Sequence, residues 1–377
     1  MRWGRLVAVT HDTLAVGSLA HLVAEPWLGL DLGPEHPART GLLLIDVEHA
    51  DGVIIRADVR PGHSHRAAEK LFEVRDIRQV LSLADRHDWT AAAQGELLVA
   101  RAAEHLLGLP LPARAGWVRA LLAAHARLGS HLAYLSFVPF RVGDAALAAE
   151  VHGLREEGRQ LLVQLTGNRV HPMVTRLGGV AADPAPDWVV RLLDWAHRAR
   201  ATAGRLEAGI DAAPFAALAA GSGVLTAADV DAYGLGGVIA RASGCRRAVA
   251  GAEDAGVLTA GDAQARFTLL ARDVVETADR LGRLGADPAG PSGPVETRLS
   301  KIVKLPDGEV FVDEDAPMGI AGVHLVARGG PVPWRLRLRT PDFANVQALN
   351  AALPGTALER ADVVVASLGY TIGDLDK

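Results

Sequence analysis

The spacing of hydrophobic and polar residues divides the chain into three parts. Over residues 1–62, short apolar runs are interrupted by Gly, Pro and Asp-Gly, which predicts strands at Leu6–Val9, Leu42–Val47 and Val53–Val59. From residue 63 to 290, apolar residues recur every three or four positions, as in amphipathic helices. The predicted helices are Arg66–Asp85, Trp89–Leu107, Ala113–Phe137, Ala145–Thr166, Trp188–Arg205 and Ala263–Leu284.

A Pro/Gly-rich joint, ADPAGPSGP at residues 286–294, ends the helical region. The alternation of strands returns after the joint, at Arg298–Lys304, Glu309–Asp313, Gly322–Ala327 and Trp334–Arg339. A final helix is predicted near Thr356–Ala361, ahead of the segment VVVASLGYTIGDLDK, which is too apolar and β-branched for a disordered tail.

These patterns predict an α+β, mainly helical fold. A central bundle of long helices (63–290) is flanked by a small N-terminal β-rich part (1–62) and a small C-terminal α+β part (291–377).

Composition excludes several classes of function. The chain is 49% apolar and 22% charged, enough for a large core, and its net charge of −5 argues against non-specific nucleic-acid binding. No long uncharged apolar stretch predicts a membrane span, and the N-terminus does not resemble a secretory signal. The single cysteine, Cys245, cannot form an internal disulfide or hold an iron–sulfur cluster. Redox chemistry would therefore need organic cofactors or clusters on a partner.

Three polar segments are candidates for chemistry. In HSHRAAEK (63–70), Ser64 is the predicted N-cap of the first helix, and two histidines at i and i+2 point apart, so a metal pair is not expected. The loop DRHDW (85–89) is either a cluster of surface charges or the edge of a cavity. Arg335, Arg337 and Arg339 share one strand face, which is either solvated or bound to carboxylates.

Other enzyme motifs are missing from the sequence. There is no G-x-S-x-G, H-E-x-x-H or P-loop, and the glycine-rich run at 234–237 does not form a dinucleotide-binding fingerprint. A stand-alone soluble enzyme is therefore a weak interpretation.

Several local patterns follow one another in an informative order. They are GPEHPA (33–38), HRAAEK (65–70), DRHDW (85–89), LGLPLPARA (107–115), GSHL (129–132), TGNRVH (166–171), RLGGV (176–180), IARASG (239–244), WR…FAN (334–345) and SLG…GDLDK (367–377). From about residue 31 to 377, this series resembles the D-type subunit of NADH-quinone oxidoreductase (respiratory complex I). That family is related to the large subunit of nickel–iron hydrogenases.

The resemblance also shows what this chain lacks. In hydrogenases, two cysteine pairs ligate nickel and iron, one near the position of residues 87–92 and one in a C-terminal D-P-C-x-x-C pattern. Both segments are free of cysteine here, so hydrogenase chemistry is excluded. The C-terminal segment looks like the complex I form, which packs inside the protein.

The resemblance implies a quinone cavity between this chain and a neighbouring subunit. A family histidine in H-P-A-x-H-G and a tyrosine in R-x-D-Y usually hold the quinone headgroup. In His36-Pro-Ala-Arg-Thr40 the second histidine is replaced by Thr40, and the tyrosine position is Trp89. A family aspartate falls at Arg141, so an Arg141–Asp144 ion pair is a candidate replacement.

Other family positions are retained. Arg86 and His171 match residues that lie near the partner's terminal iron–sulfur cluster. His65, Arg66, Glu69 and Lys70 match the structural motif of the first helix.

The leading expectation is therefore a peripheral-arm subunit of a complex I-like oxidoreductase that forms one wall of a quinone cavity. Its implied partners are a B-type iron–sulfur subunit, a C-type subunit and membrane-arm subunits, at the cytoplasmic face of the cell membrane. Quinone is the implied substrate, and neither metal nor cluster is expected on this chain. The alternative is a structural subunit that has lost quinone chemistry, as the changes at Thr40, Trp89 and Arg141 suggest.

Overall fold

The structure is a computed structural model that describes residues 9–24, 26–247 and 255–377. It is mainly helical with small β-rich parts, as the sequence predicts, and it has three sheets, of which the two-stranded one within the helical region is not predicted. The predicted strand Leu6–Val9 lies outside the described residues, except for Val9. The strands are β1 Thr10–Val16, β2 Leu28–Leu30, β3 Leu43–Ala50, β4 Val53–Arg60, β5 Thr175–Arg176, β6 Gly179–Val180, β7 Gly308–Ala316, β8 Gly319–Ala327 and β9 Arg335–Arg339.

The long helices form the centre of the molecule, where α11 packs along α7 and α4. The helices are α1 Ala68–Phe72, α2 Ile77–Ala84, α3 Ala92–Leu107, α4 Ala113–Leu135, α5 Phe137–Val142, α6 Ala145–Thr166, α7 Pro186–Asp211, α8 Ala213–Ala219, α9 Ala227–Tyr233, α10 Gly237–Ala242, α11 Ala263–Leu284, α12 Pro341–Gln347, α13 Leu349–Ala352, α14 Ala361–Leu368 and α15 Ile372–Leu375.

The N-terminal sheet has the strand order β2-β1-β3-β4, with β1 antiparallel to β3 and parallel to β2. The β3–β4 hairpin turns at Asp51-Gly52, where both residues have positive φ (50° and 77°). Such a two-residue turn favours Asp-Gly because a left-handed backbone is cheap for Gly and tolerated by Asp. Leu43, Ile45 and Val47 alternate along β3 and enter the main core.

The single helix predicted at Arg66–Asp85 is wrong, because the structure has two helices there. Asp76 starts α2 with a capping box, in which its carboxylate accepts from the backbone of Gln79 and the Gln79 side chain accepts from the backbone of Asp76. This reciprocal pair satisfies two N–H groups at a new helix start and so favours a break.

Two C-terminal predictions also fail. The segment 298–304 forms no strand, because the carbonyls of Ser300 and Lys301 accept from the Arg78 guanidinium (2.9 and 2.7 Å) in place of a neighbouring strand. The apolar run near the C-terminus forms α14 (Ala361–Leu368). The helix predicted at Thr356–Ala361 therefore lies further toward the C-terminus than expected. A helix that is apolar all round has no amphipathic period to read, and most of α14 is buried.

The largest apolar core contains side chains from all three parts of the chain, for example Leu43, Trp195 and Val364. The C-terminal sheet β7-β8-β9 packs against α2 and α3 around a second core.

The boundaries of the three predicted parts, at 62/63 and 290/291, stay predictions. None of the helices in the described part of the chain is both long and apolar enough to cross a lipid bilayer.

The α6–α7 contact gives a direct test of this packing. A Cβ at Gly158 would lie 2.6 Å from Cζ2 of Trp195, whereas a Cβ at Gly153, on the same helix, would meet nothing within 4 Å. We expect Gly158→Ala to destabilise the fold by about 1–3 kcal/mol through overpacking. Gly153→Ala should stabilise it by up to about 1 kcal/mol through helix propensity.

The measurement is chemical denaturation of the purified chain, with both variants compared with the parent. Equal effects of the two substitutions would contradict the close approach of α6 to Trp195.

Candidate active site

The turn formed by residues 369–377, here called the C-terminal turn, is buried. Tyr370 and Thr371 are 1% and 0% exposed. The Asp376 carboxylate accepts hydrogen bonds from the backbone N–H groups of Gly62 (2.7 Å) and Ser64 (2.8 Å). A buried carboxylate satisfied by two N–H groups ties the end of the N-terminal sheet to this turn.

The C-terminal turn lies directly against the loop of residues 85–90, here called the polar loop. A Cβ at Gly373 would lie 2.6 Å from the carbonyl oxygen of His87 and 3.0 Å from that of Arg86, so only glycine fits. The Thr371 hydroxyl oxygen lies 3.4 Å from the His87 carbonyl oxygen. The two segments that resemble the cysteine segments of hydrogenases therefore meet in the fold.

The first half of the motif HRAAEK (65–70) connects the C-terminal turn with the polar loop. Nδ1 of His65 lies 3.1 Å from the Asp376 carbonyl oxygen, and Arg66 donates to the Arg86 carbonyl (3.3 Å). Ser64 is not the N-cap of α1, because its backbone is bound to Asp376 and the helix begins only after Ala67.

The second half of the motif joins α1 to β9. The Glu69 carboxylate accepts from Arg335 (2.8 Å) and from the backbone N–H of Leu338 (3.0 Å). Lys70 instead pairs with Glu73 at the surface (2.7 Å). His65, Arg66 and Glu69 thus stabilise the site, and Lys70 takes no part in these contacts.

The three arginines of β9 differ in their surroundings. Arg335 binds Glu69 and Glu73, and Arg339 donates to the carbonyls of Gly234 (2.7 Å) and Ile320. Arg337 is exposed. Two of the three guanidinium groups therefore bind carboxylates or carbonyls of this chain.

Arg86 and His171 converge on Asp85, which is 0% exposed. Nε of Arg86 donates to Asp85 Oδ1 (2.9 Å), and Nδ1 of His171 lies 3.1 Å from the Asp85 carbonyl and 3.5 Å from Oδ2. Both side chains are partly exposed (38% and 28%). Arg86 also contacts Met173 Sδ (3.5 Å), at the edge of an open groove of about 970 Å³.

Trp89 lines a narrow cavity of about 70 Å³ between the polar loop, α4 and α6. Its Nε1–H is buried and has no hydrogen-bond acceptor among the residues that the structure describes. The other lining residues are Thr90, Ala92, Ala93, His125, Ala126, Gly129, Ala133, Arg155, Gly158, Arg159, Leu162, Arg169, Val170 and Pro172.

The three guanidinium groups in the wall of this cavity share two carboxylates. Arg155 pairs with Glu35 (2.8 Å). Arg159 and Arg169 both pair with Glu156, the former at 3.6 Å. The wall therefore carries one more positive charge than its partners neutralise.

His36 and Thr40, which the resemblance places in the quinone cavity, do not line the cavity at Trp89. His36 is 2% exposed and its Nδ1 accepts from the backbone N–H of Ala38 (3.2 Å), so it caps the 3-10 turn Pro37–Arg39. Burial lowers the pKa of His36 to about 3, so the ring is neutral at pH 7. Thr40 is exposed. Neither residue is among those described residues that line the Trp89 cavity.

The expected Arg141–Asp144 ion pair is wrong. Helix α5 ends at Val142, and Gly143 takes a positive φ of 74°, so the two side chains do not share a helical face. Arg141 pairs instead with Asp362 (2.7 Å), and Asp144 caps α6 by accepting from the N–H of Leu147 (3.0 Å).

A cluster of carboxylates that the sequence patterns do not predict lies where the C-terminal turn meets the polar loop. Its members, here called the carboxylate cluster, are Asp88, Asp342 and Asp374. Asp342 Oδ2 accepts from the backbone N–H (2.7 Å) and hydroxyl (3.1 Å) of Thr371. Asp88 Oδ1 accepts from the backbone N–H (2.9 Å) and hydroxyl (2.5 Å) of Thr90.

Burial and mutual repulsion favour the neutral forms of these acids. Burial, with the charge of Asp88 beside it, raises the pKa of Asp374 to about 8. Burial also raises the pKa of Asp342 well above its usual range, and repulsion from Asp374 and Asp88 adds to the effect. The pKa of Asp88 is raised by burial, against the hydrogen bonds from Thr90.

Comparison with known proteins gives a consistent family. The model of the family described as "Respiratory-chain NADH dehydrogenase, 49 Kd subunit" matches residues 142–253 and 297–377. The second D-type subunit of NADH-quinone oxidoreductase from Salinispora tropica is 37% identical over 374 residues, covering 92% of each chain. The protein of the same name from Streptomyces griseus is 36% identical over 401 residues, covering 99% of this chain and 98% of its own.

The chain belongs to the 49 kDa (D-type) subunit family of NADH-quinone oxidoreductase. This confirms the resemblance indicated by the order of the motifs. A more distant D-type subunit, from Carboxydothermus hydrogenoformans, is 30% identical over 366 residues and covers 93% of this chain.

Where the C-terminal turn meets the polar loop, the side chains of Asp88, Asp342 and Thr371 present hard oxygen atoms. Within the described ranges, no three His, Cys, Asp or Glu side chains are placed to bind one metal ion together. Carboxylates and hydroxyls stand where the hydrogenase pattern has thiolates, so the donor set does not fit nickel and iron.

Glu69 provides a test of the contacts that support the site. We expect Glu69→Gln to lower the free energy of unfolding by about 1–3 kcal/mol, because it removes the charge bound by Arg335 and weakens the bond to Leu338. Lys70→Gln, next to it on the exposed side of α1, should change the free energy by less than about 0.5 kcal/mol.

Thermal and chemical denaturation of the two variants would measure the difference. A loss for Lys70→Gln as large as that for Glu69→Gln would show that Glu69 does not anchor α1 to β9.

Proposed function

We propose that the chain is a peripheral-arm subunit of a complex I-like NADH-quinone oxidoreductase and forms one wall of its quinone cavity. The family supplies the class of complex, and the observation that carries the site is the buried, unpartnered N–H of Trp89 at the wall of a cavity. A buried donor without an acceptor is costly, and a quinone carbonyl oxygen would satisfy it.

The charges around the cavity suit this substrate. Reduction by two electrons places negative charge on the quinone oxygens before protons arrive. Arg155, Arg159 and Arg169 outnumber their carboxylate partners and provide positive potential in a largely apolar space, which favours that charge. Trp89 holds the headgroup through its N–H and its flat face, and it does not itself supply a proton.

Arg86 and His171 are assigned to the side that faces the partner's cluster. Asp85 fixes both side chains, and both remain partly exposed beside the groove that contains Met173. A cation and an imidazole N–H near a cluster raise its reduction potential. Electrons would then pass from the B-type iron–sulfur subunit to a quinone at Trp89.

The remaining assignments follow from the family. The partners are the B-type iron–sulfur subunit, a C-type subunit and membrane-arm subunits, and the chain lies at the cytoplasmic face of the membrane as a peripheral subunit. NADH binds another subunit, and the energy of quinone reduction drives ion movement in the membrane arm.

The second candidate is a structural subunit of such a complex that has lost quinone chemistry. It is favoured by the separation of the expected ligands, because His36 is buried as a helix cap and Thr40 does not line the Trp89 cavity. Arg141 is also bound to Asp362 at another place.

Trp89→Phe separates the two candidates. In the complex purified from native membranes in mild detergent, we expect the KM for quinone to rise roughly fivefold to tenfold, the worth of about one hydrogen bond. Quinone-site inhibitors should quench the fluorescence of the parent, and this change should be lost in the variant.

Trp334→Phe is the matched control, since Trp334 is 57% exposed and stacks with Arg328 outside the cavity. If Trp89→Phe behaves like Trp334→Phe, Trp89 does not bind the headgroup. If the parent complex assembles but reduces no quinone, the structural role is the better description.

A further inference from the structure

We propose that the carboxylate cluster of Asp88, Asp342 and Asp374 is a buried proton-binding site that delivers protons through the Thr90 hydroxyl to a substrate in the Trp89 cavity. The delivery step rests on the proposed quinone function. The proton-binding site itself does not.

The first argument is the polar atoms that lack partners. Asp342 and Asp374 are 1% and 5% exposed, and each keeps one carboxylate oxygen (Oδ1 and Oδ2, respectively) with no hydrogen-bond partner in the described structure. The hydroxyl of Tyr370, a residue that is 1% exposed, likewise has no hydrogen-bond partner in the described structure. Leaving a buried oxygen without a partner costs much more for an ionised carboxylate than for a neutral carboxylic acid, so these sites favour the protonated form.

The second argument is the set of charges that face the cluster. Tyr134 on α4 is fully buried and lies close to all three carboxylates. Lys377 is the cation that acts on Asp374, but it also interacts with Glu69 and donates to the Leu338 carbonyl. A cation shared in this way only partly offsets the repulsion among three carboxylates, so protonation of the acids is favoured.

Nearby groups do not change this balance. Burial lowers the pKa of His87 to about 4, so its ring is neutral at pH 7. Asp376 is bound by two backbone N–H groups and faces Tyr370. The pKa of about 8 for Asp374 agrees with an acid that is protonated at pH 7, and the raised pKa of Asp342 changes in the same direction.

The third argument is a connection to the cavity. The Thr90 hydroxyl donates to Asp88 (2.5 Å) and lies 2.9 Å from the Ser130 hydroxyl, and Thr90 itself lines the Trp89 cavity. A hydroxyl can pass one proton on while it accepts another. Thr90 is thus the hydroxyl that joins the cluster to the cavity wall.

The reduction of a quinone to a quinol balances in electrons and protons with the proposed electron source. A quinone takes two electrons from the partner subunit's iron–sulfur cluster and two protons from the carboxylate cluster to become a quinol. Two O–H bonds form on the substrate, and two carboxylic acids become carboxylates. Water later returns two protons to the cluster.

The first test needs no quinone. The infrared spectrum of the purified full chain at pH 7 should contain the carbonyl band of a buried carboxylic acid, and the part of it due to Asp374 should fade as the pH rises through about 8. Asp374→Asn and Asp342→Asn should each remove part of the band, with circular dichroism to verify folding. Asp313→Asn, an exposed carboxylate on β7, should leave it unchanged. A spectrum without the band at pH 7 overturns the proton-binding site.

The second test uses the purified complex. Thr90→Val should lower the kcat of quinone reduction roughly a hundredfold, with the infrared band retained, and Thr90→Ser should restore most of the rate. Unchanged kcat in Thr90→Val overturns the delivery route. A parent complex that shows the band but reduces no quinone overturns the proposed function and the delivery step, and leaves the proton-binding site supported.

Discussion

The structure depends on the hydrogen bonds that tie the C-terminal turn to the segments around it. This turn brings carboxylates and backbone N–H groups into the interior, where a hydrogen bond to a neighbouring segment also fixes the position of that segment. Asp376 binds the backbone after β4, Asp342 binds Thr371, and Gly373 allows the turn to touch the polar loop. These contacts hold the N-terminal sheet, the helices and the C-terminal part in one arrangement, so the site forms only when all three are in place.

The side chains of this turn suit a different chemistry from that of the hydrogenase pattern the sequence resembles. In hydrogenases the two equivalent segments provide soft thiolates, which bind nickel and iron. In this chain they provide Asp88, Asp374 and hydroxyls, which suit protons better than soft metals. The C-terminal turn and the polar loop are far apart in the sequence but meet in the fold, and their side chains decide what this contact can bind.

Much of the fold can be predicted from the sequence. Helix α11 has the bounds that its pattern predicts, since its apolar face is periodic and Asp262 caps it. Helix α14 is misplaced by the same approach because burial on nearly all sides removes that period. The break between α1 and α2 is hidden because the capping box of Asp76 lies inside an otherwise continuous pattern. Local rules therefore succeed where one face of an element meets water.

The candidate site is harder to predict, because it joins residues far apart in the chain. The order of the motifs correctly gives the family, but a role transfers from one position to another only where the side chain keeps its neighbours. Arg141 does not keep them, since Asp362, more than two hundred positions away, offers the nearer carboxylate. The carboxylate cluster has no local signal either, because Asp88, Asp342 and Asp374 follow no spacing and are acidic like many surface residues. Their closeness to one another distinguishes them, together with the burial of Asp342 and Asp374, and both are properties of the folded chain.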